Sequence, residues 1–288
     1  MGVLDKWGAE PHPALPRGYL SFSQISKYLR CAKQYEFHYL LNDRSAGSIS
    51  MSLGKAVHAV TEEVHKLQLE GIQPALEDVL TMARRAADHQ VLSEPWDIDA
   101  GDALDGLRNA AESCILTWWQ RFGHACKPIH TEREILHIFK DRKGRDVPVL
   151  AYVDLEHETP SGPEVLDYKT VGRAKASNFA VENLQLWLYS IMTNCDHVAI
   201  ASIVRPKGNI ESTGTNVTSG FSITRHKVTE AQQGHAKAII MDVVEGIEAA
   251  SFPRCLPGEW NCTEKWCSHF HNCRGDFRNI APPPLLAE

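Results

Sequence analysis

Long hydrophobic runs are missing from this chain, and so is an excess of positive charge. None of its apolar stretches approaches the roughly 20 residues that span a bilayer, and Met1–Pro16 lacks the apolar core of a signal peptide. We therefore expect a cytoplasmic protein with no membrane partner. The formal net charge of -6 argues against non-specific coating of nucleic acid, but it leaves room for a local basic groove beside an acidic centre.

Apolar residues at helical spacing dominate the first 123 residues of the chain. This spacing predicts a helix over 21–40, with Ser23 as its N-cap and Cys31 in its middle, and a second helix over about 54–69. Further helices are expected within 74–123. The first part of the chain is therefore expected to be mainly α-helical.

From Thr131 onwards the hydrophobic period changes to that of strands, which are bounded by turn-forming clusters such as 159–163. The first three strands are close enough in sequence to form a meander. Two more strands and two helices follow them. The predicted strands are 134–139, 147–157, 165–171, 197–204 and 220–228, and the predicted helices are 178–193 and 230–250.

Together these elements predict an α/β fold in which a central mixed β-sheet is flanked by helices. We expect a single domain over 21–288, preceded by an N-terminal extension at 1–20. Residues 74–123 are interpreted as a helical insertion ahead of the sheet. Residues 251–275 are interpreted as a C-terminal tail that carries a cysteine cluster.

Two neighbouring predicted strands each carry a carboxylate at the end of an apolar run, Asp154 on one and Asp167 on the other. Because side chains alternate along a strand, Asp167 and Lys169 point to the same face while Tyr168 points away. Mg²⁺ and Mn²⁺ prefer such oxygen ligands, and the Tyr168 carbonyl is a further candidate. Lys169 is then placed to orient a water or to stabilise charge on a phosphate. The alternative is a surface ion pair, but the apolar flanks favour a buried strand, where unpaired charges are costly.

Polar residues on two predicted helices are candidates for the same site. Gln185 and Tyr189 are four residues apart and share a helix face. His58 lies on one face with Glu62 and His65, so a separate zinc site there is an alternative. Taken alone, His58 is most simply a histidine on an exposed helix face, and His65 is expected to bind no metal.

Cysteine is concentrated near the end of the chain, where Cys262, Cys267 and Cys273 lie close together in sequence. Three thiolates this close need a fourth ligand. In a reducing compartment such a group is typical of a Zn²⁺ or iron–sulfur site rather than of disulfides. Cys255 is a local candidate for the fourth ligand, and the spacing alone does not choose between the two metals.

The order of these motifs resembles that of RecB-like nucleases of the PD-(D/E)XK superfamily along nearly the whole chain. In that family an N-terminal helix leading to a cysteine is followed by a Gly-x-x-x-His segment, a G-x-x-D strand, a D-x-K strand and a Q-x-x-x-Y helix. Ala151 stands where the family usually has glycine, which leaves every candidate metal ligand in place. The matching segments are Leu20–Cys31, Gly54–His58, Ala151–Asp154, Asp167–Lys169 and Gln185–Tyr189.

The resemblance implies a Mg²⁺- or Mn²⁺-dependent deoxyribonuclease, commonly an exonuclease, with a restriction-endonuclease-like core. The metal ligands that it implies are His58, Asp154, Asp167 and the carbonyl of Tyr168. The catalytic residues that it implies are Asp154, Asp167, Lys169, Gln185 and Tyr189.

A 4Fe-4S cluster is also implied, because a subset of these nucleases fastens the two ends of the domain together with one. The ligands that the resemblance implies are Cys31, Cys262, Cys267 and Cys273. The gap between Cys262 and Cys267 is wider than in many members, which leaves structural Zn²⁺ as the alternative.

The substrate implied by the resemblance is DNA with a free end or in single-stranded form, and a partner protein of recombination or replication is a further expectation. A CRISPR adaptation-type nuclease shares both the core and the cluster and stays open as an alternative. A non-catalytic DNA-end-binding protein and a redox-sensing iron–sulfur protein are the rivals from other classes. Trp118, Trp119 and Trp187 are candidates for base stacking, although burial in the core is the simpler interpretation.

Overall fold

The computed structural model describes residues 3–43, 49–93, 100–173, 176–206 and 219–274. Residues 94–99 of the predicted helical insertion and the end of the predicted tail from 275 onwards lie outside these ranges. The chain divides into two compact units. The first unit comprises Met1–Ser45, Ile138–Val149 and Ala238–Glu288, and the second comprises Ala46–His137 and Leu150–Lys237.

The strands form a six-stranded mixed sheet, and the strand-like periodicity predicted a mixed sheet. Its order is β1-β3-β4-β5-β6, and β2 also pairs with β3. The β3–β4 and β5–β6 pairs are antiparallel, whereas β4 and β5 are parallel. The strands are β1 (Leu20–Ser21), β2 (Pro128–Lys140), β3 (Asp146–Thr159), β4 (Gly162–Val171), β5 (His197–Val204) and β6 (Gly220–Lys227).

Helices flank this sheet, again as predicted. Short 3-10 turns occur at Asp5–Trp7 and Gly123–Ala125, and a π-helical turn occurs at Glu36–Leu40. The α-helices in the described ranges are α1 (Phe22–Arg30), α2 (Ala32–Tyr35), α3 (Ile49–Leu69), α4 (Leu76–Ser93), α5 (Ala100–Arg121), α6 (Leu184–Thr193), α7 (Glu230–Glu248) and α8 (Phe270–Arg274).

Three helix predictions were wrong in their bounds, and the helix predicted over about 54–69 begins already at Ile49. The helix predicted over 21–40 is interrupted at Cys31, whose backbone is extended with φ -164° and ψ 103°, and its N-cap residue is Ser21 rather than Ser23. The helix predicted from residue 178 starts only at Leu184. There the side chain of Asn183 accepts a hydrogen bond from the Leu186 backbone N–H, which satisfies one of the free donors of the first turn.

The core of the second unit forms between α3, α4, α5 and one face of the sheet. Val57 on α3 and Trp118 on α5 are fully buried there against Leu166 and Tyr168 of β4. Burial of side chains of this size stabilises the fold by about 1.5–3 kcal/mol each. Alternate residues of β4 therefore point away from these helices, and Asp167 and Lys169 are among them.

No helix within the described ranges is both long and apolar enough to cross a bilayer.

The turn after α5 tests how tightly this core is packed. A Cβ atom on Gly123 would lie 2.7–2.9 Å from three ring atoms of Trp118. We expect Gly123→Ala to lower the free energy of unfolding by about 1–3 kcal/mol through overpacking. The matched control is Gly234→Ala on α7, where a Cβ meets nothing within 4 Å. That change should raise the free energy of unfolding by about 0.5–1 kcal/mol, and equal effects of the two variants in urea unfolding would contradict the prediction.

Candidate active site

The two strands that carry the predicted carboxylates lie side by side in the second unit. Leu155 on β3 pairs with Leu166 on β4. Asp154 and Asp167 are the next residues on their strands, in opposite chain directions, so the antiparallel register brings them together. Because β4 also pairs with β5 on its other side, Asp167 is only 2% exposed.

Asp154 is fixed by contacts from β4 and from α3. Its Oδ2 atom accepts a hydrogen bond from the Tyr168 backbone N–H at 2.7 Å. The same oxygen lies 3.6 Å from Nδ1 of His58. His58 in turn donates from Nε2 to the Tyr168 carbonyl at 3.0 Å. Three of the four ligands predicted for the catalytic metal therefore meet at one point, and the fourth, Asp167, is beside them on β4.

Glu132 on β2 joins this group, although the sequence analysis gave it no role. Ligand atoms from His58, Glu132 and Asp154 all lie within 4.8 Å of one another. The backbone of Glu132 has a φ of 46°, in the left-handed region that residues other than glycine rarely adopt. Its strand was predicted to begin at residue 134 but begins at Pro128. A predicted strand that starts too late is the reason Glu132 was missed.

Lys169 lies on the same face of β4 as Asp167 and is held from two sides. Its Nζ atom is 2.8 Å from Oδ2 of Asp167 and donates to Oε1 of Gln185 on α6 at 3.0 Å. Gln185 donates from Nε2 to the Tyr189 hydroxyl at 2.7 Å, and this hydroxyl donates to the Tyr152 carbonyl at 2.7 Å. A continuous chain of hydrogen bonds therefore orients the ammonium group.

The carboxylates of the site repel one another, and this shifts their proton affinities. Burial, and next the charge of Asp167, raise the pKa of Asp154 well above its ordinary value. Burial, and next the charge of Asp154, raise the pKa of Glu132 to about 7. Burial acts to lower the pKa of Lys169, but the charge and hydrogen bond of Asp167 and the charge of Asp154 together outweigh it and raise that pKa, so the ammonium stays charged. Burial lowers the pKa of His58 and favours the neutral imidazole that binds metals.

These residues fit a hard divalent cation. Buried carboxylates with raised pKa values are stabilised by a cation placed between them. The donor set of one imidazole, carboxylates and a carbonyl suits Mg²⁺ or Mn²⁺.

The Tyr168 side chain anchors the site from the other face of the sheet, as the strand alternation predicted. Its hydroxyl lies 2.9 Å from Nε2 of His65 and accepts a hydrogen bond from Nε1 of Trp118 at 3.3 Å. His65 is fully buried, which lowers its pKa to about 4, and its Nδ1 lies 2.9 Å from Oε1 of Gln68. His65 therefore supports β4 from behind. Trp118 and Trp119 are buried, so the core interpretation of these two residues is confirmed.

Five cysteines of the first unit line one pocket. They come from the break between α1 and α2 and from the segment after α7, which has few regular elements. Around the pocket, buried Cys262 and Cys267 form a small apolar cluster with Phe270. The cysteines are Cys31, Cys255, Cys262, Cys267 and Cys273.

Nitrogen donors point at the sulfur atoms of this pocket. Gln34 donates to Sγ of Cys267 at 3.1 Å. Arg274 donates to Sγ of Cys262 at 3.0 Å, and Arg254 to Sγ of Cys273 at 3.3 Å. Donors in this position stabilise thiolate rather than thiol, and thiolate is the form that binds metals.

Comparison with known proteins gives a family match and similarities to solved structures. The sequence profile of the PD-(D/E)XK nuclease superfamily matches residues 19–274. No curated protein matches the chain. The crystal structure of a candidate exonuclease from Eubacterium rectale is similar in fold, with a TM-score of 0.51 over 93% of this chain and 90% of that one at 11% identity. The crystal structure of SSO0001 matches 71% of this chain and 98% of its own at 13% identity, with a TM-score of 0.36.

Proposed function

Because this chain belongs to the PD-(D/E)XK nuclease superfamily, we propose that it is a Mg²⁺- or Mn²⁺-dependent deoxyribonuclease that acts as an exonuclease. The observation that carries the proposal is that Asp154, Asp167 and Lys169 lie together on two paired strands, with His58 beside Asp154. The fold match to a candidate exonuclease agrees with it at the level of fold.

In this proposal His58, Asp154, Asp167 and the Tyr168 carbonyl hold the divalent ion. When bound there, such an ion would supply Lewis acidity toward the phosphate and would make a water molecule more acidic. The chain's own residues fix the positions of these ligands. The Tyr168 backbone fixes two of them, because its N–H donates to Asp154 and its carbonyl accepts from His58.

Lys169 is the residue that we assign to charge stabilisation. Its ammonium orients the attacking water or faces the phosphate oxygen on which negative charge grows. Gln185 holds the ammonium at 3.0 Å, and Tyr189 holds Gln185 at 2.7 Å. These two residues are therefore positioning residues for Lys169. Because the Lys169 ammonium is already oriented, it does not have to rearrange when negative charge develops on the phosphate.

Glu132 is proposed as a residue that would help to hold the ion or would act as a general base. Its carboxylate lies in the same 4.8 Å group as His58 and Asp154. Both roles need the ionised form, which a bound cation restores.

For the cysteine pocket we propose a 4Fe-4S cluster held by Cys31, Cys262, Cys267 and Cys273. These four cysteines line one pocket, and Gln34, Arg254 and Arg274 donate hydrogen bonds to three of their sulfur atoms, which suits thiolates around an iron–sulfur cluster.

The function is tested with end-labelled linear DNA and covalently closed circular DNA, incubated with anaerobically purified protein and Mg²⁺, Mn²⁺ or EDTA. We expect metal-dependent degradation of the linear DNA only. Cleavage of the closed circle would replace the exonuclease assignment by an endonuclease. Binding of DNA ends without cleavage in either metal would contradict the catalytic proposal and leave a DNA-end-binding protein.

The raised pKa of Glu132 gives a prediction about pH. Between the ordinary value of 4.5 and the folded value of about 7, the folded protein binds more protons than the unfolded one. The free energy of unfolding of metal-free protein should therefore fall as pH rises through this window, and Glu132→Gln should remove part of that fall. We also expect at least tenfold weaker Mn²⁺ binding in this variant, about the loss that follows mutation of supporting groups around a metal.

Thermal unfolding in EDTA from pH 5 to pH 8, followed by Mn²⁺ titration, measures both effects. Glu134→Gln is the matched control, since it makes the same change of charge two residues further along β2. We expect this control to follow the wild type. If the two variants are indistinguishable, Glu132 has no part in the site.

A further inference from the structure

Two tryptophans in the segment after α7 are mostly exposed to solvent. Trp260 is 62% exposed and Trp266 is 60% exposed. Their ring centroids are 6.2 Å apart with an interplanar angle of 79°. An exposed pair of large aromatic side chains is uncommon on a protein surface and is typical of a binding site.

Cations lie next to both rings. The guanidinium of Arg30 is 5.8 Å from the Trp260 ring centroid, and the ammonium of Lys265 is 5.2 Å from that of Trp266. Lys27 lies one helical turn before Arg30 on α1. Burial, and next the charge of Arg30, lower the pKa of Lys27. These two cations therefore repel each other, and an anion bound beside them would relieve the repulsion.

We propose that this surface, defined by Trp260, Trp266, Arg30 and Lys265 and called the tryptophan surface below, binds a single-stranded segment of nucleic acid. Bases stack on the two indole rings, and the phosphates between them contact Arg30 and Lys265. The rings stand at 79° to each other, so neighbouring bases stack only where the strand can turn. This inference extends the proposed function by naming a strand form of the substrate.

The occupant follows from the chemistry of the surface. Base faces are accessible in single strands, whereas in a duplex they are covered by their neighbours, so stacking residues select the single strand. Exposed carboxylates of Glu259 and Glu264 lie in the same segment. The surface is therefore not a uniform positive patch of the kind that binds any polyanion. Aromatic rings interleaved with single cations match bases interleaved with phosphates.

The experiment measures binding of fluorescein-labelled oligo-dT to the full-length protein in EDTA, where no cleavage interferes. We expect Trp260→Ala and Trp266→Ala each to weaken binding about 5- to 150-fold, the usual loss for one stacking residue. Trp→Phe variants should recover most of the affinity because phenylalanine also stacks. Duplex DNA of the same length should bind with nearly the same affinity to all variants.

Trp7 offers a matched control within the same unit. It is 42% exposed, and the ammonium of Lys6 lies 5.6 Å from its ring centroid. Trp7→Ala should leave oligo-dT binding unchanged. The inference would be overturned if Trp7→Ala lost as much oligo-dT affinity as the other variants, or if neither Trp260→Ala nor Trp266→Ala changed that affinity. So would competition by poly-glutamate as strong as that of oligo-dT.

Trp266 precedes Cys267, so its alanine variant is also compared with the wild type in thermal unfolding. If that variant is destabilised, Trp260→Ala alone carries the test. The outcome is separable from the nuclease proposal. Loss of binding in the tryptophan variants of a protein that never cuts DNA supports the inference and rejects the nuclease. If the protein cleaves DNA but oligo-dT binding does not depend on Trp260 and Trp266, the inference is rejected and the nuclease proposal stands.

Discussion

Replacing Lys169 by alanine is expected to slow cleavage about 100- to 1,000-fold, which is the usual cost of removing one preorganised group that stabilises transition-state charge. The ammonium is held at 2.8 Å from Asp167 and at 3.0 Å from Gln185, so it is already oriented before substrate binds. DNA affinity should change little, because one of many phosphate contacts is lost. Single-turnover rates at saturating protein measure the effect on the chemical step.

The control for Lys169→Ala must separate the loss of the Lys169 charge at the site from a general loss of folding. Lys66→Ala serves this purpose, since Lys66 also pairs with a carboxylate, Glu62, and lies on α3 of the same unit. Removal of Lys169 leaves Asp167 buried without its cation, which costs stability. Thermal unfolding is therefore recorded for both variants. A folded Lys169→Ala protein that cuts at the wild-type rate would contradict our assignment of Lys169.

Substitution by arginine adds a finer test of the same site. Arginine keeps the positive charge but spreads it over a planar group with fixed hydrogen-bond directions. It does not fit between Asp167 and Gln185 in the way that a single ammonium does. We expect Lys169→Arg to remain much slower than wild type, which would show that position as well as charge matters.

Strand periodicity was enough to predict which residues of β4 face the site. Alternation places Asp167 and Lys169 on one face and Tyr168 on the other, and the hydrogen bond between Tyr168 and His65 agrees with it. The short turn after β3 made the antiparallel pairing with β4 predictable as well. The pair of Leu155 with Leu166 sets the register, and apolar patterns alone do not specify which residues stand opposite each other.

Other parts of the site depend on backbone conformations that the sequence does not reveal. Glu132 lies beside His58 and Asp154 with a left-handed backbone conformation. Apart from glycine, no residue pattern in a sequence indicates that conformation. Apolar spacing continues across Cys31, so the helix break there was not predicted, although it is the break that places Cys31 beside the pocket. His58 alone was indistinguishable from a surface histidine, and only the family resemblance singled it out.

The second large effect is expected at the cysteine pocket. Cys262→Ser should abolish the visible absorption and the bound iron of anaerobically purified protein and should lower the unfolding temperature by about 10 °C or more. Loss of a structural metal belongs to the substitutions that cost more than about 4–5 kcal/mol, and each kcal/mol corresponds to about 2–4 °C in a chain of this size. The buried apolar cluster of the segment after α7 consists of two cysteines and Phe270, so loss of a metal bound to these thiols disturbs the core of that segment directly.

Cys195→Ser is the control for this series. Cys195 is half-buried in the second unit, and its thiol lies within hydrogen-bond distance of the carbonyls of Pro163 and His197. A serine hydroxyl can donate to either carbonyl, so we expect normal metal content and stability. Metal analysis of the wild type decides between iron and zinc. Zinc in place of iron would contradict the 4Fe-4S proposal, although the cysteines would still form a metal site.

Cys255 makes the ligand assignment itself testable. Its thiol shares hydrogen bonds with both Cys31 and Cys262, so five sulfurs compete for four ligand positions. Our assignment expects Cys31→Ser to lose the cluster and Cys255→Ser to keep it. If Cys255→Ser lost the cluster and Cys31→Ser kept it, all four ligands would come from the segment after α7. The cluster would then not link that segment to the start of α2. Metal binding would then stabilise only that segment, because a cluster contributes to folding only through the chain segments that its ligands join.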